Sequence, residues 1–196
     1  MPRDSASASD VGRPLVVGAN HRSSSMTLRD RLFVEESAAP AFLKRLSQLG
    51  IEQAMVLSTC DRVEVQAIAT SGDGAEKRIK KVMAEHAELN PGDLGDQIYV
   101  LWDEDAVRQI FTVTASLDSL MIGEPQVLGQ VKDSHRLARE AKMSGGGLEA
   151  LFQAAFAAAK RVRSETAIGQ RPVSMAAVAT QLARNVHGDL SGCSGL

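Results

Sequence analysis

The chain has 196 residues, 44% hydrophobic and 23% charged, which is ordinary globular composition with length for one cored domain or one plus part of another. A formal net charge of −2 argues against nucleic-acid binding by bulk charge, although local basic patches stay open, and 4% aromatic residues argue against a base-stacking surface. Two distant cysteines, Cys60 and Cys193, and four scattered histidines offer neither a zinc motif nor a disulfide framework, so the expectation is a metal-free protein of the reducing cytoplasm.

Residues 1–13 are polar without an apolar signal region and read as a disordered tail. No apolar run reaches the ~18 residues of a membrane span. Leu15-Val16-Val17-Gly18-Ala19 is a first strand, followed by the polar loop Asn20-His21-Arg22-Ser23-Ser24-Ser25. Thr27 is placed to cap a short helical turn, and Ser37 to cap a helix whose apolar face is Phe42, Leu43, Leu46 and Leu49, stopped by Gly50. Ala54-Met55-Val56-Leu57 is an apolar run of buried-strand type. Val63, Val65, Ala67 and Ala69 then alternate with Glu64, Gln66, Ile68 and Thr70, the period of a half-buried strand. After the loop Ser71-Gly72-Asp73-Gly74, a helix carries Ile79, Val82, Met83 and His86 on one face up to Asn90-Pro91, with His86 at the edge of that face. Ile98-Tyr99-Val100-Leu101 is a fourth strand. The order βαββαβ is that of a ferredoxin-like α+β unit, an antiparallel four-stranded sheet with two helices on one face.

Beyond the sheet the periodicity is helical. Val107, Ile110, Phe111 and Thr114 share one face, and the Gly- and Pro-broken segment Leu117 to Gln126 interrupts it, a break that is costly unless it lines something. Leu128, Val131, His135 and Ala138 resume the period as far as Ser144-Gly145-Gly146-Gly147. Leu148, Leu151, Phe152, Ala155, Phe156, Ala159 and Val162 follow on one face, ending in Lys160, Arg161 and Arg163. A last helix starts at Pro172 or Ser174, with Met175, Val178, Leu182 and Val186 in register. The basic runs Lys77, Arg78, Lys80, Lys81 and Arg136, Arg139, Lys142 suit either solvated helix faces or RNA.

Chemistry concentrates at Leu57-Ser58-Thr59-Cys60-Asp61-Arg62-Val63-Glu64, a lone thiol between two strands. If the chain is extended there, residues two apart share a face and Arg62 lies beside the sulfur, favouring the thiolate. The plainer reading makes Cys60 a small buried hydrophobe.

Four stretches together resemble the glutamyl-tRNA reductase family: Gly18 to Ser23, Ser58 to Glu64, Leu117-Asp118-Ser119 through Gly123 to Lys132, and Pro172 to Val178 running to Gly188-Asp189-Leu190-Ser191-Gly192. The resemblance implies that Cys60 attacks the ester of glutamyl-tRNA to form a thioester, which NADPH reduces to glutamate 1-semialdehyde for tetrapyrrole synthesis. It also implies that Thr59, Asp61, Arg62, Ser119, Glu124, Pro125, Gln126 and Gln130 hold the glutamyl group, Glu124 matching its ammonium. The family has Asn where Asp61 stands, an acid that opposes thiolate formation, and His where Gln109 stands, a side chain unable to shuttle protons. His21 is a substitute for that role.

On the same resemblance, residues 14–167 form the catalytic, glutamyl-tRNA-binding domain and 168–196 begin a connecting helix toward an NADPH-binding domain, with no GxGxxG before Leu196. A homodimer through further domains and glutamate-1-semialdehyde aminomutase are the implied protein partners. The chain by itself is then expected to perform only the acyl-transfer half. The alternative is a non-reducing module that binds glutamyl-tRNA or a partner protein.

Overall fold

A computed structural model describes residues 12–70, 74–119, 122–169, 175–190 and 192. The strands are β1 (Arg13–Asn20), β2 (Gln53–Ser58), β3 (Arg62–Ala69) and β4 (Tyr99–Trp102), paired antiparallel in the order β2-β3-β1-β4. β1 and β2 run parallel with β3 between them, the split βαβ arrangement that the order of elements predicts. The register aligns Gly18 with both Glu64 and Tyr99, Asn20 with Arg62, and Leu57 with Glu64.

Pairing in register assigns the faces, because opposed residues point the same way. Leu15, Val17, Val63, Val65 and Ala67 face α2 (Ala39–Gln48) and α3 (Ala75–His86), and Trp102 on that face donates its indole N–H to Glu76 Oε2 at 3.4 Å. The opposite face carries Arg62, Glu64 and Gln66 and is covered by α4 (Asp103–Thr114) and α6 (Gly146–Glu165). There Gln109 of α4 bonds Glu64, and Gln53 Oε1 accepts the Leu148 N–H at 3.0 Å. The helical region is therefore a second layer on the sheet. This changes the reading of β3, whose alternation predicts one wet face. Glu64 and Gln66 are 0% and 1% exposed.

α5 (Pro125–Glu140) runs along the edge strand β2, and the Ala54 N–H donates to the Met143 carbonyl at 3.0 Å, occupying part of the open edge. On α5 Val131, His135 and Ala138 are buried as the apolar period predicts, but the buried residue of its first turn is Val127 rather than Leu128; on α6 Leu148, Phe152, Ala155 and Ala159 are buried, and the His135 ring lies 5.2 Å from that of Phe152. α7 (Met175–His187) leaves Leu182 and Val186 exposed.

Several boundaries differ from the expectations. β1 begins at Arg13, paired with Ala69, inside the expected tail. The short helix α1 (Met26–Leu32) is capped by Ser25, whose Oγ accepts the Leu28 N–H at 3.2 Å, rather than by Thr27. Ala38, not Ser37, holds the N-cap position of α2, with Pro40 in its first turn. α3 stops at His86 because the chain reverses through Glu88 (φ 55°) and the Leu89 N–H returns to the Ala84 carbonyl; a 3-10 stretch, Pro91–Gln97, then leads to β4, which starts one residue after Ile98. His86 sits at the edge of its face as expected, with Nε2 2.9 Å from the Phe33 carbonyl. Residues 1–11, Ser71 to Asp73, the starts proposed at Pro172 or Ser174, and Cys193 lie outside the described residues.

Candidate functional site: a thiol on a pinned hairpin

Ser58 opposite Val63 ends the β2–β3 ladder, and Thr59 to Asp61 make the turn. The Thr59 N–H donates to the Arg62 carbonyl at 2.8 Å, and the Thr59 hydroxyl donates to Asp61 Oδ1 at 2.9 Å. From the neighbouring strand end, the His21 N–H donates to the Asp61 carbonyl at 2.9 Å. Thr59 and Asp61 are buried by these contacts, while Cys60 between them is exposed. Cys60 is thus no buried hydrophobe. It is the accessible apex of a turn held on both flanks.

The turn also removes the strand geometry from which Arg62 was placed beside the sulfur. Arg62 is 1% exposed and points into the sheet layer, where Nη1 donates to Glu64 Oε1 at 2.8 Å and Nη2 to Asp118 Oδ2 at 3.0 Å, with a second bond to the Asp118 carbonyl. Its Nε lies 3.6 Å from Asp61 Oδ1. Burial opposes the guanidinium charge, but Glu64, with Tyr99, Asp61 and Asp118, outweighs it and holds Arg62 above the ordinary arginine value. Arg62 is a buried hub linking the hairpin to the broken segment after α4.

Glu64 is the other centre of this layer. Its Oε1 accepts from Arg62, from the Tyr99 hydroxyl at 2.5 Å and from Gln109 Nε2 at 2.9 Å, while Oε2 accepts from Gln66 Nε2 at 2.7 Å. Burial first, and then the Glu64 carboxylate, push the Tyr99 hydroxyl far above its usual pKa, so it acts as a fixed donor. Gly18 lies in the same row. A Cβ there would come within 2.7 Å of both Glu64 Cγ and the Val63 carbonyl oxygen. Gln109, where the resemblance implies His, is joined to the thiol's hairpin through Glu64 and Arg62.

The segment after α4 explains its own irregularity. Ser116 has φ 59°, and the Gly123 N–H returns to the Ser116 carbonyl at 2.7 Å, making a closed loop whose Asp118 reaches Arg62. Asp118 also accepts Arg22 Nη2 at 2.6 Å. Burial raises its carboxyl pKa, but the bonds from Arg62 and Arg22 prevail and hold it below the ordinary range. Arg22 is 64% exposed, so it is the cation that this cluster presents to solvent. Sequence reasoning named Arg22 and Asp118 within motifs without giving either a role. Their signal was opposite charge, Arg22 in a polar loop and Asp118 in a largely apolar segment broken by Gly123 and Pro125.

Thr59, Asp61, Arg62 and His21 come together, with His21 Nδ1 3.8 Å from Asp61 Oδ2. Ser119 is half-buried beside Asp118. Glu124 is the N-cap residue of α5, Pro125 opens that helix, and Gln126 is exposed in its first turn. Gln130 lines, with Ser58, Val56 and Phe33, a cavity of about 240 Å³ at the α2–α5 side of β2. Among the described residues no cluster of His, Cys, Asp and Glu is suited to a metal ion, and no helix is long and apolar enough to cross a membrane.

Residues 17–166 match the family model described as the N-terminal domain of glutamyl-tRNA(Glu) reductase. The chain is 46% identical over 181 residues to the glutamyl-tRNA reductase of Rhodospirillum rubrum, covering 90% of this chain and 41% of that protein. It is 42% identical to that of Syntrophotalea carbinolica, with 92% and 41% covered. The solved structure of the glutamyl-tRNA reductase from Methanopyrus kandleri superposes with a TM-score of 0.68 at 27% identity, covering 88% of this chain and 39% of that one. The chain therefore spans about two-fifths of the length of these relatives.

Proposed function

Because this chain belongs to the glutamyl-tRNA reductase N-terminal domain family, we propose that it carries the acyl-transfer centre for glutamyl-tRNA, with Cys60 as nucleophile. The observation that supports this most is the exposure of Cys60 on a turn whose two neighbours are buried and bonded. Such a turn gives the sulfur a fixed position with an open approach, which lowers the entropic cost of attack.

In the proposed step the Cys60 thiolate attacks the carbonyl carbon of the glutamyl ester. The C–S bond forms, the bond from that carbon to the ribose oxygen breaks, and the ribose oxygen leaves with a proton. His21, whose backbone N–H donates to the Asp61 carbonyl and whose Nδ1 lies 3.8 Å from Asp61 Oδ2, is assigned the proton handling that Gln109 lacks. Thr59 and Asp61 shape the turn, and Arg62 fixes it through Glu64 and Asp118. Arg22 offers a guanidinium for the glutamyl carboxylate. Ser119, Glu124, Pro125, Gln126 and Gln130 are assigned to the rest of the glutamyl pocket, Glu124 for the ammonium.

NADPH supplies the hydride that converts the thioester to glutamate 1-semialdehyde in this reading. The described residues do not fit that cofactor. Their four strands pair antiparallel, not as the parallel βαβ units of a dinucleotide-binding sheet, and the strand-to-helix junction Trp102 to Asp103 has Asp103, Glu104 and Asp105 in the first turn of its helix, a charge that repels a pyrophosphate. The hydride step is accordingly not assigned to these residues. A cytoplasmic setting, a homodimer and the aminomutase partner belong to the same reading of the whole enzyme.

Intact-protein mass spectrometry after mixing with glutamyl-tRNA tests it. A single glutamyl adduct is expected on the wild-type chain and none on Cys60→Ser. An adduct that persists in Cys60→Ser sinks the assignment, and unmodified wild-type protein that still binds glutamyl-tRNA leaves a binding module.

A further inference from the structure

Basic residues on α5 and α6 are treated in two ways. On the outer surfaces they are matched with acids: Arg136 with Glu36 at 3.1 Å and Glu140 at 2.9 Å, Arg139 with Glu149 at 3.8 Å, and Arg161 with Glu165 at 3.0 Å. Between the two helices the pattern changes. A groove of about 620 Å³ is walled by Lys132 on one side and by Lys160 and Arg163 on the other. Among the described residues no carboxylate lines it and neither lysine meets an acid within 4 Å. The rest of its lining is Leu128, Phe156 and Ala157, with Gln153 and Ser164 as further polar groups.

In a chain of net charge −2, three cations around one concave surface, with no carboxylate among its described lining, mark a place for a polyanion. The apolar part of the lining narrows the class. An aromatic face and aliphatic carbons bounded by cations suit a nucleotide, with base or ribose against Phe156 and Leu128 and phosphates on the rim. The groove is also tied to the thiol's surroundings. Arg163 Nη1 donates to the Gly123 carbonyl at 3.3 Å, and the loop that ends at Gly123 is the one whose Asp118 holds Arg62.

We propose that the α5–α6 groove grips the sugar-phosphate chain of the tRNA through Lys132, Lys160 and Arg163, an assignment that rests on the acyl-transfer reading above. It places RNA contact away from both basic runs that the sequence displays, of which Arg136, Arg139 and Lys81 each have a carboxylate within 4 Å.

The test is fluorescence anisotropy of labelled glutamate-specific tRNA with the 196-residue chain across a salt series. Lys132→Gln/Lys160→Gln is compared with Lys77→Gln/Lys80→Gln on α3, and thermal midpoints check folding. In parallel, wild-type protein is offered a small activated ester of glutamate and the Cys60 adduct is read by mass. The groove double variant is expected to bind more weakly, its log K against log salt losing about 2 units of slope, about one per cation, while the α3 variant matches wild type. An unchanged slope in the groove variant, or equal loss in both variants, overturns the groove. So does wild-type protein that takes the small ester without binding tRNA, which leaves acyl transfer standing. Wild-type protein that neither binds tRNA nor takes the ester ends both readings.

Discussion

The Tyr99 hydroxyl reaches Glu64 Oε1 at 2.5 Å by crossing the bare Cα of Gly18, the residue paired with both of them in the sheet. A side chain on the central strand would stand in that path. Glycine at this position serves the buried carboxylate rather than a turn, since Gly18 lies within β1.

Gly18→Ala is therefore expected to destabilise. Its Cβ meets backbone as well as the Glu64 stem, so the strands must part or Glu64 must leave its donors. The cost expected is about 1–3 kcal/mol, as for overpacking elsewhere, read from denaturant midpoints. A midpoint equal to wild type would show that the row relaxes freely.

Removing Glu64 leaves a buried cation without one of its partners. Glu64→Ala should cost about 3–5 kcal/mol and Gln109→Leu, which takes away one of four donors, about 1 kcal/mol. Equal losses in the two variants would contradict a carboxylate-centred layer. If Gln109→Leu slows acylation of Cys60 while the fold holds, coupling passes from α4 to the hairpin through Glu64 and Arg62.

Asp118 makes the cluster sensitive to acid. Its carboxyl is held below the ordinary value by Arg62 and Arg22, so the folded state binds its proton less readily than the unfolded chain. The stabilisation is complete above the unfolded carboxylate pKa, near 4, and is lost as pH falls through the lower folded value. Asp118→Asn should flatten that part of the stability profile. An unchanged acid limb would assign the loss to other carboxylates.

His135 acts in a higher window. Burial among Phe152 and Phe156 lowers its pKa and Arg139 adds to this, against the pull of Glu149 3.2 Å away. The unfolded chain then takes up a proton near pH 6.5 that the folded chain refuses. Stability is full above that pH and declines as pH falls toward the depressed folded value. Thermal midpoints of wild type should drop between neutral and mildly acidic pH, and His135→Gln should lose that slope. An equal slope in the variant would rule His135 out as its source.

The sheet was legible because its strands are short β-branched runs bounded by polar loops, and the antiparallel order followed from βαββαβ. Caps were harder: Ser25 and Thr27 are both able to cap, and only the Leu28 N–H decides between them. The buried layer of Arg62, Glu64 and Gln66 was misread because alternation tells which residues share a face, not what covers it. The turn at Cys60 was legible as a turn. That it points the thiol outward and Arg62 inward depends on Asp118, 56 residues further on, which no local pattern encodes.

The first of the described strands to leave the ribosome is the one that ends in the middle of the sheet. β1 has β3 on one side and β4 on the other, so it stays unpaired until residue 69 has been made and is flanked only once Trp102 follows. The β2–β3 hairpin that carries the thiol is local and can close early. During synthesis the Cys60 turn thus precedes its own support, and nascent chains halted before Trp102 should expose Cys60 on a hairpin still open to digestion.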